Sequence, residues 1–180
     1  LQVSIKGPSD FVTNSDYKVE KIIISELSKS KKKYYLISEE SGKIENENKN
    51  GCWIIDPIDG TTNFLNGIPH FAISIALKIK NEIVSGVIYD PIKDEMFYAE
   101  KNNGAYLNNK RIRVSKKNNV DNCLFATGGK NEIKTKLNIR KFGSASLDLA
   151  YVAAGRYDGF FQKNLSLWDV AAGLILIKES

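Results

Sequence analysis

Five residues in one short segment of the chain have types and spacing that could do chemistry together: Asp56, Asp59, Gly60, Thr61 and Thr62. The two aspartates stand three positions apart across Pro57, so both carboxylates can point at one spot. Gly60 lets the backbone come close to a ligand because it has no Cβ. If a helical turn begins there, its free N–H groups form an anion site beside the carboxylates.

Carboxylates and a bound anion repel one another unless cations lie between them. At an effective dielectric constant of about 20, two like charges about 4 Å apart cost roughly 4 kcal/mol. Mg²⁺ binds oxygen ligands and can bridge carboxylates to a phosphate, so it is the simplest solution. The segment therefore indicates a magnesium-dependent phosphate site.

Other interpretations of the same segment stay open. Asp-Pro and Asp-Gly pairs are both common in turns that have no function. An EF-hand loop fits poorly, because the glycine falls one position early when counted from Asp56, and Gly67 stands where the bidentate glutamate belongs. A haloacid-dehalogenase-type Asp-x-Asp-Gly-Thr motif is a closer rival, but two residues separate the aspartates here, where that motif has one.

The elements that must position these residues follow from the hydrophobic pattern. The apolar run before Asp56 predicts a buried strand that ends at Pro57, because proline cannot donate to a sheet ladder. Before it we expect a loop up to Asp16, a helix capped by Ser15 and running to about Lys32, a strand over 34–38 and a polar loop over 42–51. After it, alternating apolar residues predict an antiparallel meander over 71–79, 83–89, 95–100 and 104–114.

The last third of the chain is expected to mix short strands with helices. The pattern predicts a strand over 123–127, a segment 139–142 that leads into Gly143, a helix closing at Gly155, a strand over 158–162 and a final helix capped by Ser166. Carboxylates would then stand at helix starts or strand ends, where loops can converge on one sheet edge; these are Asp16, Glu39, Asp56, Asp59 and Asp169. No Cys/His cluster argues for zinc, and the single histidine, His70, is expected to be a packed or surface residue.

Size and composition fit a single domain. A chain of 180 residues can bury a sizeable core, and no apolar run approaches the roughly 20 residues that span a bilayer. Cys52 and Cys123 are too few for a disulfide framework, so we expect buried thiols and a reduced, cytoplasmic protein. The net charge is +5, and we interpret the densest basic run, residues 29–33, as a solvated helix end whose cations favour the helix dipole.

Five motifs together resemble those of the inositol monophosphatase family, a group of Mg²⁺-dependent, lithium-sensitive phosphomonoesterases. They lie at residues 10–16, 39–41, 56–64, 143–145 and 168–169, in the family's order. The sequence of residues 148–156 is especially similar to that of the bacterial branch. The resemblance covers essentially the whole chain. It implies an α+β fold, a layered αβαβα sandwich of the inositol monophosphatase and fructose-1,6-bisphosphatase type. It also implies one domain over residues 1–180 that is truncated at both ends.

The resemblance implies a metal site at the two aspartates. Glu39, Asp56 and the carbonyl of Ile58 would hold one Mg²⁺. Asp56, Asp59 and Asp169 would hold a second, while a third and weaker site would use Glu39 and water. The metal ligands would thus come from three separate stretches of the chain.

The resemblance also implies catalytic and substrate-binding residues. Thr61, hydrogen-bonded to Asp16, would help deprotonate the attacking water, with Glu39 in the same catalytic set. The expected substrate contacts are Asp59, Gly60, Thr61, Thr62, Gly143, Ser144, Ala145, Gln162 and Asp169. Gln162 stands where the family usually has a glutamate that binds inositol hydroxyls, and this difference weakens the case for inositol 1-phosphate.

These implications lead to competing functional hypotheses. The first is Mg²⁺-dependent hydrolysis of a small polyol phosphate, with myo-inositol 1-phosphate as the leading substrate. The alternatives within the same enzyme class are histidinol phosphate, a fructose bisphosphate or a 3′-phosphoadenosine nucleotide. A different hypothesis is a non-catalytic role in ribosomal RNA transcription complexes, which the bacterial branch can also serve, and a third is a decayed fragment without function. A homodimer is expected from the family.

Overall fold

The computed structural model describes residues 3–7, 10–30, 32–129 and 136–180, and for residues 3–13 it describes the backbone alone. The helices are α1 (Asn14–Ser28), α2 (Thr61–Leu65), α3 (Ala145–Ala153) and α4 (Leu167–Glu179). The strands are β1 (Val3–Gly7), β2 (Asp10–Thr13), β3 (Tyr34–Ser38), β4 (Gly42–Ile44), β5 (Asn48–Asp59), β6 (Ala72–Ile79), β7 (Glu82–Asp90), β8 (Glu95–Glu100), β9 (Gly104–Leu107), β10 (Lys110–Arg111), β11 (Leu124–Thr127), β12 (Asn138–Arg140) and β13 (Gly159–Phe161). A short 3₁₀ helix covers Val120–Asn122.

An eight-stranded sheet forms the centre of the described structure, in the order β10-β9-β8-β7-β6-β5-β3-β4. Its strands pair antiparallel except for β3 and β5, which run parallel. The predicted meander is confirmed from β6 onward. Its fourth strand is divided into β9 and β10 because Asn108 and Asn109 take positive φ angles of 43° and 67° and form a turn.

Helices separate this sheet from a smaller one. α4 packs across β5 to β9, α3 packs against α4, and α3 also contacts β11 and β13 of a parallel three-stranded sheet ordered β12-β11-β13. The main core lies between the large sheet and these helices, and α4 comes so close that a Cβ at Gly86 would lie 2.8 Å from the Cα of Ala172. α1 contacts β5. The layers of sheet, helix pair and sheet confirm the predicted α+β class.

The strand that carries the two aspartates does not end at Pro57, so that prediction is wrong. β5 continues to Asp59, and its ladder with β6 pairs Asp56 with Ser74 and Asp59 with Ala72. One extra residue therefore lies on β5 between these pairs, which is a β-bulge. A bulge tolerates a proline because its extra residue makes no ladder hydrogen bond, and it re-aims the side chains around it.

Three predictions for the first 51 residues are also wrong. The expected loop before α1 contains the antiparallel pair β1 and β2, with Val3 opposite Thr13; Pro8 of this segment lies outside the described residues. The expected polar loop over 42–51 contains β4 and the start of β5. α1 ends at Ser28, whose hydroxyl donates to the Ile24 carbonyl (2.7 Å) and competes with the helix ladder there.

The basic run therefore lies beyond α1, and its interpretation as a helix end that favours the dipole is wrong: the last turn of α1 holds no basic residue. Lys29 instead pairs with Glu26 at 2.6 Å, and Lys31 lies outside the described residues. Across the part of the chain that the structure describes, no helix has the length and apolar character needed to cross a membrane.

Candidate active site

The carboxylates meet at one edge of the large sheet because β3 and β5 are parallel neighbours. Glu39 follows the end of β3, and its N–H donates to the carbonyl of Ile55 at 3.2 Å, one residue before Asp56. The opposite neighbour of Asp56 is Ser74 on β6, whose hydroxyl donates to the carbonyl of Trp168 at 3.4 Å. Asp169 at the start of α4 therefore lies on the same edge.

The electrostatics of Asp56 show which carboxylates act on it. Its side chain is 1 % exposed, and this burial raises the pKa of its carboxyl well above the usual range. The charges of Asp59, Glu39 and Asp169 raise the pKa of Asp56 further, in that order. The structure thus brings together the four carboxyl groups that the sequence placed at separate strand and helix ends.

Protein donors face each aspartate of this group. Asp59 Oδ2 accepts from Ser144 Oγ (2.7 Å) and from the N–H of Ser146 (2.6 Å), which partly offsets the rise in its pKa caused by burial. Asp169 Oδ2 accepts from the N–H of Ser166 at 2.7 Å, while Asp56 Oδ1 accepts from the N–H of Ile58 at 3.1 Å. Within the described ranges, no three His, Cys, Asp or Glu side chains form a ready-made metal-ligand set.

The expected phosphate side of the candidate site, which we call the phosphate turn, is a tight turn at Gly60 and Thr61 at the end of β5. Gly60 has a φ of +94°, and α2 begins at the next residue, as the sequence predicts. A Cβ on Gly60 would lie 3.2 Å from the carbonyl oxygens of both Gly143 and His70, so this position requires glycine on two grounds. Thr62 is exposed at the start of α2.

Thr61 and Asp16 are the residues expected to activate water together. The Thr61 hydroxyl donates to the Ile58 carbonyl at 3.0 Å. Asp16 is 0 % exposed in the first turn of α1. The hydrogen bond between Thr61 and Asp16 stays a prediction.

Glu20 is a buried carboxylate that the sequence analysis missed. It lies one helical turn after Asp16 on the same face of α1, and its oxygens accept from the N–H (3.1 Å) and the hydroxyl of Ser41. These bonds attach the turn that carries Glu39 to α1. The spacing of four residues between two acidic groups was the signal that could have identified it.

The residues expected on the alcohol side divide into two places. Gly143 contacts the Gly60 turn, Ser144 is buried and caps α3 by accepting from the N–H of Leu147 (3.3 Å), and Ala145 begins α3. Gln162 follows β13, and its amide oxygen fills the space that a Cβ on Gly128 would take. Gln162 therefore lies at the end of the three-stranded sheet, while residues 143–145 lie beside Asp59.

Two further polar residues near the site were not predicted to act there. Asp148 on α3 is 1 % exposed, and burial, followed by the charge of Asp59, raises its pKa to about 8. An aspartate inside a largely apolar helix was the available signal. Asn63 is buried in α2 and joins two loops, and its partners are too distant in sequence to be predicted from the motif that contains it.

Comparison with known proteins identifies the family. A sequence model of the inositol monophosphatase family matches residues 1–180. The chain belongs to the inositol monophosphatase family. The inositol-1-monophosphatase of Rhizobium meliloti (strain 1021) is 47% identical over 195 aligned positions, which cover 100% of this chain and 73% of that protein. The Nus factor SuhB of Escherichia coli (strain K12) is 45% identical with the same coverage.

A solved structure supports the same assignment. The crystal structure of the extragenic suppressor protein suhB from Bartonella henselae matches with a TM-score of 0.93 and 48% identity, covering 99% of this chain and 74% of that one. The predicted fold, of the inositol monophosphatase and fructose-1,6-bisphosphatase type, is confirmed. This inositol monophosphatase family member is a phosphomonoester hydrolase, as predicted, and its family is metal-dependent.

The donor set of this family member fits a hard cation. Every candidate ligand atom at the sheet edge is a carboxylate or carbonyl oxygen, which suits Mg²⁺ and does not suit a soft metal. A divalent cation would also offset the mutual repulsion around the buried Asp56. The two cysteines are buried free thiols, and His70 is buried against the rings of Phe142 and Tyr151, as expected for packed residues.

If Asp169 is a ligand of the expected cation, its titration makes the affinity for Mg²⁺ depend on pH. Burial raises the pKa of Asp169 to about 6, against the usual value of about 3.9. Above pH 6 the carboxylate is ionised and can hold a cation, whereas below it a proton competes. We expect the Mg²⁺ dissociation constant, followed by the fluorescence of the adjacent Trp168, to rise as pH falls from 7 to 5. Retention of the same affinity over this range would contradict Asp169 as a ligand, and Asp169→Asn is the control.

Proposed function

We propose that this protein hydrolyses small polyol phosphates with Mg²⁺, and that myo-inositol 1-phosphate is its main substrate. One observation carries the proposal: the charges of Glu39, Asp59 and Asp169 all act on the buried Asp56, next to the left-handed turn at Gly60. A cluster of like charges beside a possible anion site needs cations, and a phosphate would supply the anion. The match with the inositol-1-monophosphatase of Rhizobium meliloti supports the choice of substrate.

Under this proposal, Glu39, Asp56 and the carbonyl of Ile58 would hold one Mg²⁺, and Asp56, Asp59 and Asp169 a second. The Ile58 carbonyl accepts from Thr61, but a carbonyl oxygen has a further lone pair with which it can bind a cation. When bound, Mg²⁺ supplies positive charge that offsets the phosphate and lowers the pKa of water. The donors that now face Asp59 and Asp169 hold these side chains at the sheet edge.

The remaining residues would bind the substrate and move a proton. The N–H groups of Gly60 and Thr61 would donate to phosphate oxygens, because they lie at the start of α2, where the first N–H groups of a helix have no partner within the helix. The Thr61 hydroxyl would turn from the Ile58 carbonyl towards Asp16 and take part in deprotonating the attacking water. Residues 143–145 would face the alcohol part of the substrate. Water would attack the phosphorus atom in line with the bond to the alcohol oxygen, and the alcohol would leave.

Gln162 argues for testing other phosphomonoesters beside inositol 1-phosphate. Its amide can donate and accept hydrogen bonds but has no charge with which to hold sugar hydroxyls strongly. Histidinol phosphate, fructose 1,6-bisphosphate and a 3′-phosphoadenosine nucleotide are therefore the comparison substrates. Gln162→Glu should raise the preference for inositol 1-phosphate if this position contacts the alcohol.

Phosphate release by the purified protein tests the proposal. We expect release from myo-inositol 1-phosphate with Mg²⁺, no release with a chelator, and inhibition by Li⁺. The comparison substrates should react more slowly under the same conditions. A folded protein that releases no phosphate from any of them, whatever the Mg²⁺ concentration, would refute the proposed activity.

The 45% identity to the Nus factor SuhB of Escherichia coli favours a second candidate function, binding within transcription complexes. We propose that the protein acts in the cytoplasm as a homodimer that carries out both functions. Light scattering on the purified protein measures the oligomeric state. Capture of transcription factors by the Asp56→Asn variant would support the binding role. If neither the wild type nor this variant captures any transcription factor, the result would count against that role.

A further inference from the structure

Asn63 uses both hydrogens of its amide to hold two other loops. Nδ2 donates to the carbonyl of His70 at 2.7 Å and to the carbonyl of Phe142 at 2.6 Å. The side chain is 8 % exposed, and an asparagine amide has only these two donors, so its donor capacity is fully used inside the protein. The partners lie 7 and 79 residues further along the chain, so one side chain joins three segments.

The segments that it joins are the two sides of the candidate site. Asn63 follows the phosphate turn directly, and Phe142 comes directly before residues 143–145 on the alcohol side. A Cβ on Gly143 would lie 3.3 Å from Asn63 Nδ2, and a Cβ on Gly60 would lie 3.2 Å from the carbonyl oxygen of Gly143. The phosphate side and the alcohol side therefore touch, and the amide lies at their contact.

The alcohol side in turn holds an aspartate of the carboxylate cluster. Ser144 Oγ and the N–H of Ser146 both donate to Asp59 Oδ2. These donors lie within four residues after Phe142. The hydrogen bond from Asn63 to the Phe142 carbonyl therefore influences the position of both donors. We infer that Asn63 is a positioning residue that sets the distance between the phosphate side and the alcohol side of the site. This inference rests on the proposed function.

Substrates of different shape distinguish positioning from a merely structural role. A polyol phosphate would contact both sides of the site, whereas p-nitrophenyl phosphate has no hydroxyl group for the alcohol side. If Asn63 only stabilised the fold, its loss would lower the amount of active protein and slow both substrates by the same factor. If Asn63 positions the two sides, its loss should slow hydrolysis of the polyol phosphate more than that of p-nitrophenyl phosphate, because catalysis depends on the alignment of both ends of the substrate.

The experiment compares Asn63→Ala and Asn63→Asp with Asn66→Ala in the Mg²⁺-loaded protein. Asn63→Asp keeps the shape but replaces the two donors with acceptors that face carbonyls. The control removes an exposed amide of the same segment, which donates only to the nearby carbonyl of Thr62 at 2.8 Å. We expect kcat/KM for myo-inositol 1-phosphate to fall roughly 30-fold in both Asn63 variants, mainly through kcat. For p-nitrophenyl phosphate the loss should stay below about fivefold, and Asn66→Ala should stay within about twofold on both substrates.

Hydrogen exchange supplies a readout that does not depend on activity. Amides in residues 141–147 should exchange faster in the Asn63 variants than in Asn66→Ala. The largest increase in exchange rate should occur at the Ser146 amide. An unchanged substrate ratio, or unchanged exchange in this loop, would overturn the inference. A wild-type protein inactive on both substrates would instead refute the proposed function, a result visible without any variant. If Asn63→Ala does not fold, Asn63→Ser, which keeps one donor, serves for the same comparison.

Discussion

Asp56→Asn should lower phosphate release from myo-inositol 1-phosphate by at least about 10³-fold, while making the metal-free protein more stable. The loss of activity follows because Asp56 is the one carboxylate expected to bind both cations. The gain in stability follows because its charge is buried beside Glu39, Asp59 and Asp169. A neutral amide of the same shape removes that repulsion, and we expect the free energy of unfolding to rise by about 1–3 kcal/mol at neutral pH.

The pH dependence of stability has a definite sign. The pKa of Asp56 is higher in the folded protein than in the unfolded chain, so between these two values the folded state binds more protons. The stability of the metal-free wild type should therefore fall as pH rises above about 4. Asp56→Asn should reduce this fall without abolishing it, because Asp169 and Asp148 have raised pKa values of about 6 and about 8.

Urea denaturation with and without Mg²⁺ measures both parts of this prediction. The wild type should be stabilised by Mg²⁺, and Asp56→Asn should lose most of that stabilisation. Asp121→Asn is the matched control, since it removes one negative charge from an exposed position in the 3₁₀ helix and should change neither property. Near-normal Mg²⁺-dependent turnover by Asp56→Asn would show that another group holds the cations.

Gly60→Ala is expected to lower kcat/KM by roughly 10²-fold and to destabilise the protein more than the same change at Gly67. Both glycines have left-handed backbones, with φ of +94° and +68°, so both alanines carry the cost of that conformation, which is about 1 kcal/mol. Only Gly60 has close neighbours: its Cβ would lie 3.2 Å from the carbonyls of Gly143 and His70, whereas a Cβ on Gly67 meets nothing within 4 Å.

The comparison therefore isolates the contact between the two sides of the site. We expect Gly67→Ala to lose about 1 kcal/mol with near-normal kcat, and Gly60→Ala to lose roughly 1–2 kcal/mol more. The alanine must push the Gly143 loop or the phosphate turn away by a fraction of an ångström, which misaligns the expected phosphate donors. Thermal unfolding and steady-state kinetics on the two variants measure both quantities. Equal activities would mean that the contact does not position the substrate.

Elements with strong local signals were predictable from the sequence. The alternation of apolar residues in β6 to β8 and the closing glycine after α3, Gly155, are visible within a few neighbouring residues. β1, β2 and β4 were missed because short or polar strands form only when a partner strand supplies their hydrogen bonds. The continuation of β5 through Pro57 was missed for the same reason, since β6 determines where the bulge lies.

The candidate site divides in the same way. The sequence by itself determined the family, the carboxylates and the turn at Gly60, because those residue types stand in one fixed order and their chemistry does not depend on distant neighbours. Only the tertiary structure decided that Asp56 is buried among like charges, that Glu20 holds the turn after Glu39, and that Asn63 joins two loops. Burial and hydrogen bonds between distant segments arise only when the chain folds, so no local pattern encodes them.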